Sequence, residues 1–129
     1  ALTYDQPSGK TNIYINGEVA ASSEWAIEGF APNDDVGFNI GKIANFPWGE
    51  RPFKGYMSEV RLWSVARTRN QLQQNMLTVD PKSEGLEMYY KFNGSETQEN
   101  RTIKDTTGKI TGETGGLSIT SLDVPVEIK

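Results

Sequence analysis

Two short stretches hold side chains whose types and spacing could do chemistry. Asn45-Phe46-Pro47-Trp48-Gly49-Glu50-Arg51, followed by Pro52, sets two aromatic rings either side of a proline and surrounds them with an amide, a carboxylate and a guanidinium. Sugar rings stack their C–H faces on aromatic planes while neighbouring polar groups bind the hydroxyls, so Asn45, Phe46, Trp48 and Arg51 form a candidate ligand-binding set. The same rings would also serve to cover one end of a β-sandwich. The second stretch is Asp34-Asp35, with Asn33 beside it and Asn39 and Asn45 further along. Clustered oxygen donors suit a hard cation, so Asp34, Asp35 and Asn45 are candidate calcium ligands. The plainer reading of the two aspartates is turn chemistry and loop solvation. Calcium is the one cofactor these residues suggest. Trp25 and Trp63 read as core or strand-end packing.

The 129 residues contain no histidine and no cysteine. Ser-His-Asp and Cys-His machinery, thiol chemistry and disulfides are therefore excluded within them. Glu59 and Arg61, two residues apart and facing the same way on an extended chain, read as a structural ion pair. The net charge is -4 and the 13 basic residues are scattered, so nucleic acid is not an expected partner. No apolar run approaches the roughly 18 residues of a membrane span.

The elements that must position these groups are strands. With 36% hydrophobic residues, 13 glycines and a mean hydropathy of -0.56, the composition suits a turn-rich β protein of one domain. Ala1–Tyr4 reads as a strand, and Asn16-Gly17 between Thr11–Ile15 and Glu18–Ala21 marks a hairpin, because both central residues of a type I′ turn need positive φ. Short strands are expected at 25–27 and 38–41, and a long connection at 42–52. From Phe53 one long strand is expected to run to Ser64. Phe53, Gly55 and Met57 share one face while Val60 and Leu62 resume on the other parity, which calls for a bulge at Ser58-Glu59.

Thr68 with Gln71 three residues later forms a capping-box pattern opening one short helix near 69–76, with Leu72 and Met76 on one side. Leu86, Met88, Tyr90 and Phe92 alternate against Glu87, Tyr89 and Lys91, predicting a half-buried strand with Tyr89 outward. Residues 93–101 read as a polar loop, 102–105 as a weak strand, 106–116 as a Gly/Thr-rich connection, and 117–120 and 122–128 as further strands, the last at an edge because of Pro125. About nine strands without a βαβ rhythm predict an all-β, antiparallel two-sheet jelly-roll sandwich.

Four ordered motifs carry a resemblance: A-L-T-Y-D at 1–5, I-Y-I-N-G at 13–17, F-N-I-G at 38–41 and F-K-G-Y-M-S-E-V-R-L-W at 53–63 with its capped helix. Together they resemble the laminin G-like branch of the concanavalin A-like lectin/glucanase superfamily, which includes the pentraxins. The tail G-L-E-M-Y-Y-K-F-N-G with Asp105 and Gly108 is similar to bacterial surface proteins in which such a domain follows a domain of unknown function. The resemblance implies an exported, lipoprotein-type setting and glycan capture. It also implies that residues 1–129 are the C-terminal portion of a larger domain, an N-terminal segment of the same protein being a partner.

Pentraxin-like relatives hold calcium in the loop after the I-G strand, which here reads Lys42-Ile43-Ala44-Asn45, so the resemblance does not carry that site over. Glucanases of the superfamily place carboxylates as E-x-D-x-x-E on one strand. Here Glu59 is followed by Val60, Arg61, Leu62 and Trp63, and the second carboxylate is missing. The expected function is therefore non-catalytic recognition at a bacterial cell surface, with carbohydrate as the ligand. The alternatives are a glycoside hydrolase domain and a protein-adhesion module.

Overall fold

A computed structural model describes residues 1–25, 39–41, 53–93, 98–99 and 102–113. They divide into two units: residues 39–41 with 53–56 form one, and the other described residues form the second. Eight strands and one short helix lie among them, and every strand pairing is antiparallel. The candidate ligand and metal residues Asn45, Phe46, Trp48, Arg51, Asp34 and Asp35 lie outside the described residues, as do the expected strands at 117–120 and 122–128.

The first sheet has the order β1-β2-β3, with β1 Leu2–Asp5, β2 Lys10–Ile15 and β3 Glu18–Glu24. Asn16 and Gly17 take φ of 52° and 77°, the turn that the Asn-Gly pair predicts. Strand β3 runs three residues further than expected, and a register shift after Ile13 leaves Ala20 unpaired opposite β2. Trp25 follows β3, its N–H bonded to the Gly9 carbonyl at 2.9 Å.

Helix α1, Arg69–Gln74, is shorter than the expected 69–76 and has the predicted cap. Gln71 N–H donates to Thr68 Oγ1 at 3.3 Å, and Thr68 N–H donates to Gln71 Oε1 at 2.9 Å. The helix buries no residue completely. It is held by polar contacts to the hairpin turn: Gln73 Nε2 donates to Gly17 O at 3.2 Å and to Glu18 Oε1 at 3.0 Å, and Arg69 pairs with Glu18.

Strand β4 covers only Val60–Trp63, so the expected long strand from Phe53 is not formed. The pleat breaks at the predicted step, but through a left-handed residue rather than a paired bulge, because Glu59 has φ 58°. The bulge lies instead where β4 meets β5, Leu86–Tyr90. Leu62 pairs with Met88 and Trp63 with Leu86, leaving Glu87 extra. That single residue corrects one face assignment. It turns Leu86 onto the face of Tyr89; both faces of β5 are covered, and Tyr89, expected outward, is fully buried. Trp63 packs on the resulting cluster of Val79, Leu86 and Tyr89, while Leu62, expected in the core, is exposed.

The third sheet has the order β6-β7-β8, with β6 Gln98–Glu99, β7 Thr102–Lys104 and β8 Thr111–Glu113. Only β7 was expected; β6 falls in the predicted polar loop and β8 in the Gly/Thr-rich connection. The side chain of Asp105 organises the β7–β8 turn. Its carboxylate accepts from the N–H groups of Thr107 (2.9 Å) and Ile110 (2.7 Å) and from Tyr89 N–H on β5 (3.3 Å). In the small second unit, Asn39–Gly41 is a bend and not the expected strand, and Phe53 N–H bonds Gly41 O at 2.7 Å.

Candidate ligand-binding surface

Glu59 is the carboxylate that a hydrolase reading would need. Its left-handed backbone aims the side chain back along the strand face that carries Arg61 and Tyr89. Glu59 Oε2 accepts the Tyr89 phenolic hydrogen at 2.6 Å and pairs with Arg61 Nη2. Arg61 in turn donates to the Asn75 carbonyl at the end of α1, and its guanidinium lies 4.9 Å from the Tyr89 ring centre. Burial raises the Tyr89 phenol above its ordinary pKa, and the hydrogen bond to Glu59 adds to this. Among the described residues, the partners of Glu59 thus belong to the scaffold. The expected Glu59–Arg61 pair is present, and it ties the strand kink to the helix.

Arg67 extends this cluster: its guanidinium stacks 4.0 Å above the Trp63 ring and donates to Asn75 Oδ1 at 2.8 Å. Trp63 is therefore occupied in packing, as its sequence position suggested.

Trp25 is different. It was expected to pack at a strand end, but 76% of it is exposed. The preceding strand, E-V-A-A-S-S-E, is exposed at all seven positions, so it offers the indole no core to enter. That run of small and polar residues was the signal that sequence reasoning passed over. Trp25 stands at the end of the first sheet where Asp5, Lys10 and Glu24 pair across the three strands.

The same sheet end forms one wall of an open groove of about 540 Å³, lined by residues 4–7 and 64–66. Behind its second wall Ser64 Oγ donates to Glu87 Oε1 at 3.1 Å, and Lys109 Nζ donates to Glu87 Oε2 at 3.1 Å and to the Leu86 carbonyl at 2.7 Å. The hydrogen bond from Lys109, with that from Ser64, holds the Glu87 carboxyl below its usual pKa. The lining includes the Ser64 hydroxyl, the Gln6 amide, the Asp5 carboxylate and the Tyr4 ring. Among the described residues, no group of three or more Asp, Glu, His or Cys side chains could hold a metal ion. None of their helices is long and apolar enough to cross a membrane.

Comparison with known proteins gives two findings. Residues 1–73 match a laminin G-type family described as the Concanavalin A-like lectin/glucanases superfamily. A crystal structure from Bacteroides ovatus ATCC 8483, presented as a candidate carbohydrate-binding protein, is 66% identical and superposes with a TM-score of 0.90, covering 99% of this chain and 37% of that one. No curated protein matches the chain.

Proposed function

The chain belongs to the Concanavalin A-like lectin/glucanases superfamily, and from that membership we propose that it is a non-catalytic module that recognises carbohydrate at a bacterial surface. The observation that carries this reading is the 66% identity with the Bacteroides ovatus structure presented as a candidate carbohydrate-binding protein. Because the present chain spans 37% of that structure's length, the ligand and setting of the whole protein are part of the proposal.

Two features of the chain support it. The engagement of Glu59 with Arg61 and Tyr89 gives this carboxylate a structural task. The exposed Trp25 offers the apolar plane that a pyranose ring stacks on. We assign ligand contact to Asn45, Phe46, Trp48 and Arg51, with Trp25 added; turn chemistry remains the plainer role of Asp34 and Asp35, which with Asn45 are the residues a calcium ion would take.

A glycan array probed with the full natural polypeptide tests the reading, with and without a calcium chelator. Retention of at least one glycan class is expected, weakened about tenfold by Trp48→Ala, the equivalent of losing one good stacking contact. No retention on a broad array would reject the reading. Glycan cleavage abolished by Glu59→Gln would replace it with a hydrolase.

A further inference from the structure

The groove between residues 4–7 and 64–66 has a hydrogen-bonding polarity, and one hydroxyl sets it. Ser64 leaves β4 with its N–H bonded to the Gly85 carbonyl at 2.8 Å, which fixes the start of the second wall. Its side-chain hydrogen has two acceptors beside β5, the Gly85 carbonyl at 3.2 Å and Glu87 Oε1 at 3.1 Å. Neither can return a hydrogen: the first is a carbonyl, and the second belongs to a carboxyl that the hydrogen bond from Lys109, with that from Ser64, keeps ionised. A hydroxyl has one hydrogen and two lone pairs, so lone pairs are what Ser64 keeps for the groove. The facing wall repeats the pattern. Asp5 ends β1 exposed, its Oδ2 accepting from Ser8 Oγ, and a carboxylate with about four lone-pair sites has others to offer. Gln6 and Tyr4 are the other polar side chains of the lining, both neutral, and no Lys or Arg belongs to it.

We propose that this groove binds one neutral sugar unit, its hydroxyl hydrogens given to Asp5 and Ser64, and that it rejects sulfated and uronic units. The proposal rests on the carbohydrate reading and adds to it a binding site and the class of sugar. A sugar hydroxyl brings a hydrogen and lone pairs together, so it satisfies the two acceptors and can also accept from the Gln6 amide. A sulfate or carboxylate brings lone pairs alone. Against Asp5 and Ser64 it sets acceptor against acceptor, and a polar group left unpaired in this way is what makes such discrimination steep. Val65, 52% exposed, lies with Pro7 in the same lining and supplies apolar surface for the C–H groups of the ring. Lys10 pairs with Asp5 across the ladder without entering the lining, and it is the described cation through which an anionic sugar would have to act.

The test is calorimetric titration of the full natural polypeptide with two forms of one oligosaccharide, the neutral oligomer that a glycan array retains best and its O-sulfated form. The neutral form should bind at least about tenfold more tightly, a comparison that needs no variant. Asp5→Asn should weaken the neutral form about tenfold and Ser64→Ala about fivefold. Both side chains are exposed, so neither substitution opens a core, and an unchanged Tm checks this. Asp5→Asn should also narrow the gap between the two forms, which a merely structural role for Asp5 would leave alone. Equal or tighter binding of the sulfated form would overturn the proposal, as would an array that retains acidic glycans alone. Neutral binding that Trp48→Ala weakens and neither groove variant changes would overturn it too, while leaving the carbohydrate reading in place. No retention of any glycan would reject that reading and this inference with it.

Discussion

Tyr89 hands its phenolic hydrogen to the Glu59 carboxylate at 2.6 Å, joining residues 30 apart in sequence, and Arg61 closes the triangle from below the ring. Arg61 is only 11% exposed in its side chain, so its charge depends on Glu59, which is 25% exposed. Removing Glu59 leaves a poorly solvated guanidinium without its counter-charge, a loss of about 2 kcal/mol after allowing for the partial exposure. Tyr89→Phe removes one hydrogen bond to a charged group and should cost about 1.5 kcal/mol. Glu59→Gly should be less damaging than Glu59→Ala by about 1 kcal/mol, because glycine accepts the φ of 58° without strain. Urea unfolding of the three variants checks the order, and equal losses for the glycine and alanine variants would contradict the backbone argument.

Asp105 predicts an acid limb. Burial pushes its carboxyl up, but donors from Thr107, Ile110 and Tyr89 outweigh this and hold its pKa below the usual value. A lowered folded pKa adds stability above the ordinary carboxylate range and loses it as pH falls through the folded value, below about pH 4. Asp105→Asn should flatten that part of the stability curve. Asp105→Ala, which strands three backbone N–H groups beside a residue 3% exposed, should cost about 2–3 kcal/mol at neutral pH. Denaturant midpoints measured between pH 3 and 7 decide it.

The alkaline side is set by two phenols. Burial raises the pKa of Tyr89, and burial with the nearby Asp105 charge raises that of Tyr90. A phenol whose folded pKa exceeds the unfolded one stabilises the fold below the unfolded value, near pH 10, and that contribution disappears as pH rises through the folded value. Ultraviolet titration should therefore show the Tyr89 and Tyr90 phenols ionising late and together with loss of structure. Ionisation of both before unfolding would contradict their placement.

The helix and the hairpin are coupled through Gly17 and Gln73. Thr68→Ala should cost about 1 kcal/mol through loss of the cap. Gly17→Ala should cost at least as much, since φ is 77° and the new methyl would sit 2.8 Å from Gln73 Cγ. Thermal melts of both single variants check these values.

The sequence was most legible where a local rule decides the outcome. Asn16-Gly17 and the Thr68–Gln71 box are such cases, since turn chirality and capping act over four residues. It was least legible along β4 and β5. There one unpaired residue, Glu87, moved Leu86 onto the face of Tyr89, and simple alternation carries no sign of a bulge on the partner strand. The Asp105 turn was missed because its stabilisation comes from a side chain bonded to backbone on another strand, which neither hydropathy nor β-propensity records. For the ligand surface, residue type nominated Phe46 and Trp48 by their proline-flanked loop. The same reasoning gave Trp25 to packing, because a tryptophan after a strand resembles a core residue until the whole strand is seen to lie open.

The central claim is that aromatic side chains of this chain hold a glycan. Its most direct measurement is calorimetric titration of the full natural polypeptide with a glycan retained on the array, run beside Trp25→Ala and Trp48→Ala variants of unchanged Tm. The account predicts saturable binding that at least one of the two substitutions weakens about tenfold, near 1.4 kcal/mol. Binding of equal strength in the parent and both variants, or no heat with any glycan, would contradict it.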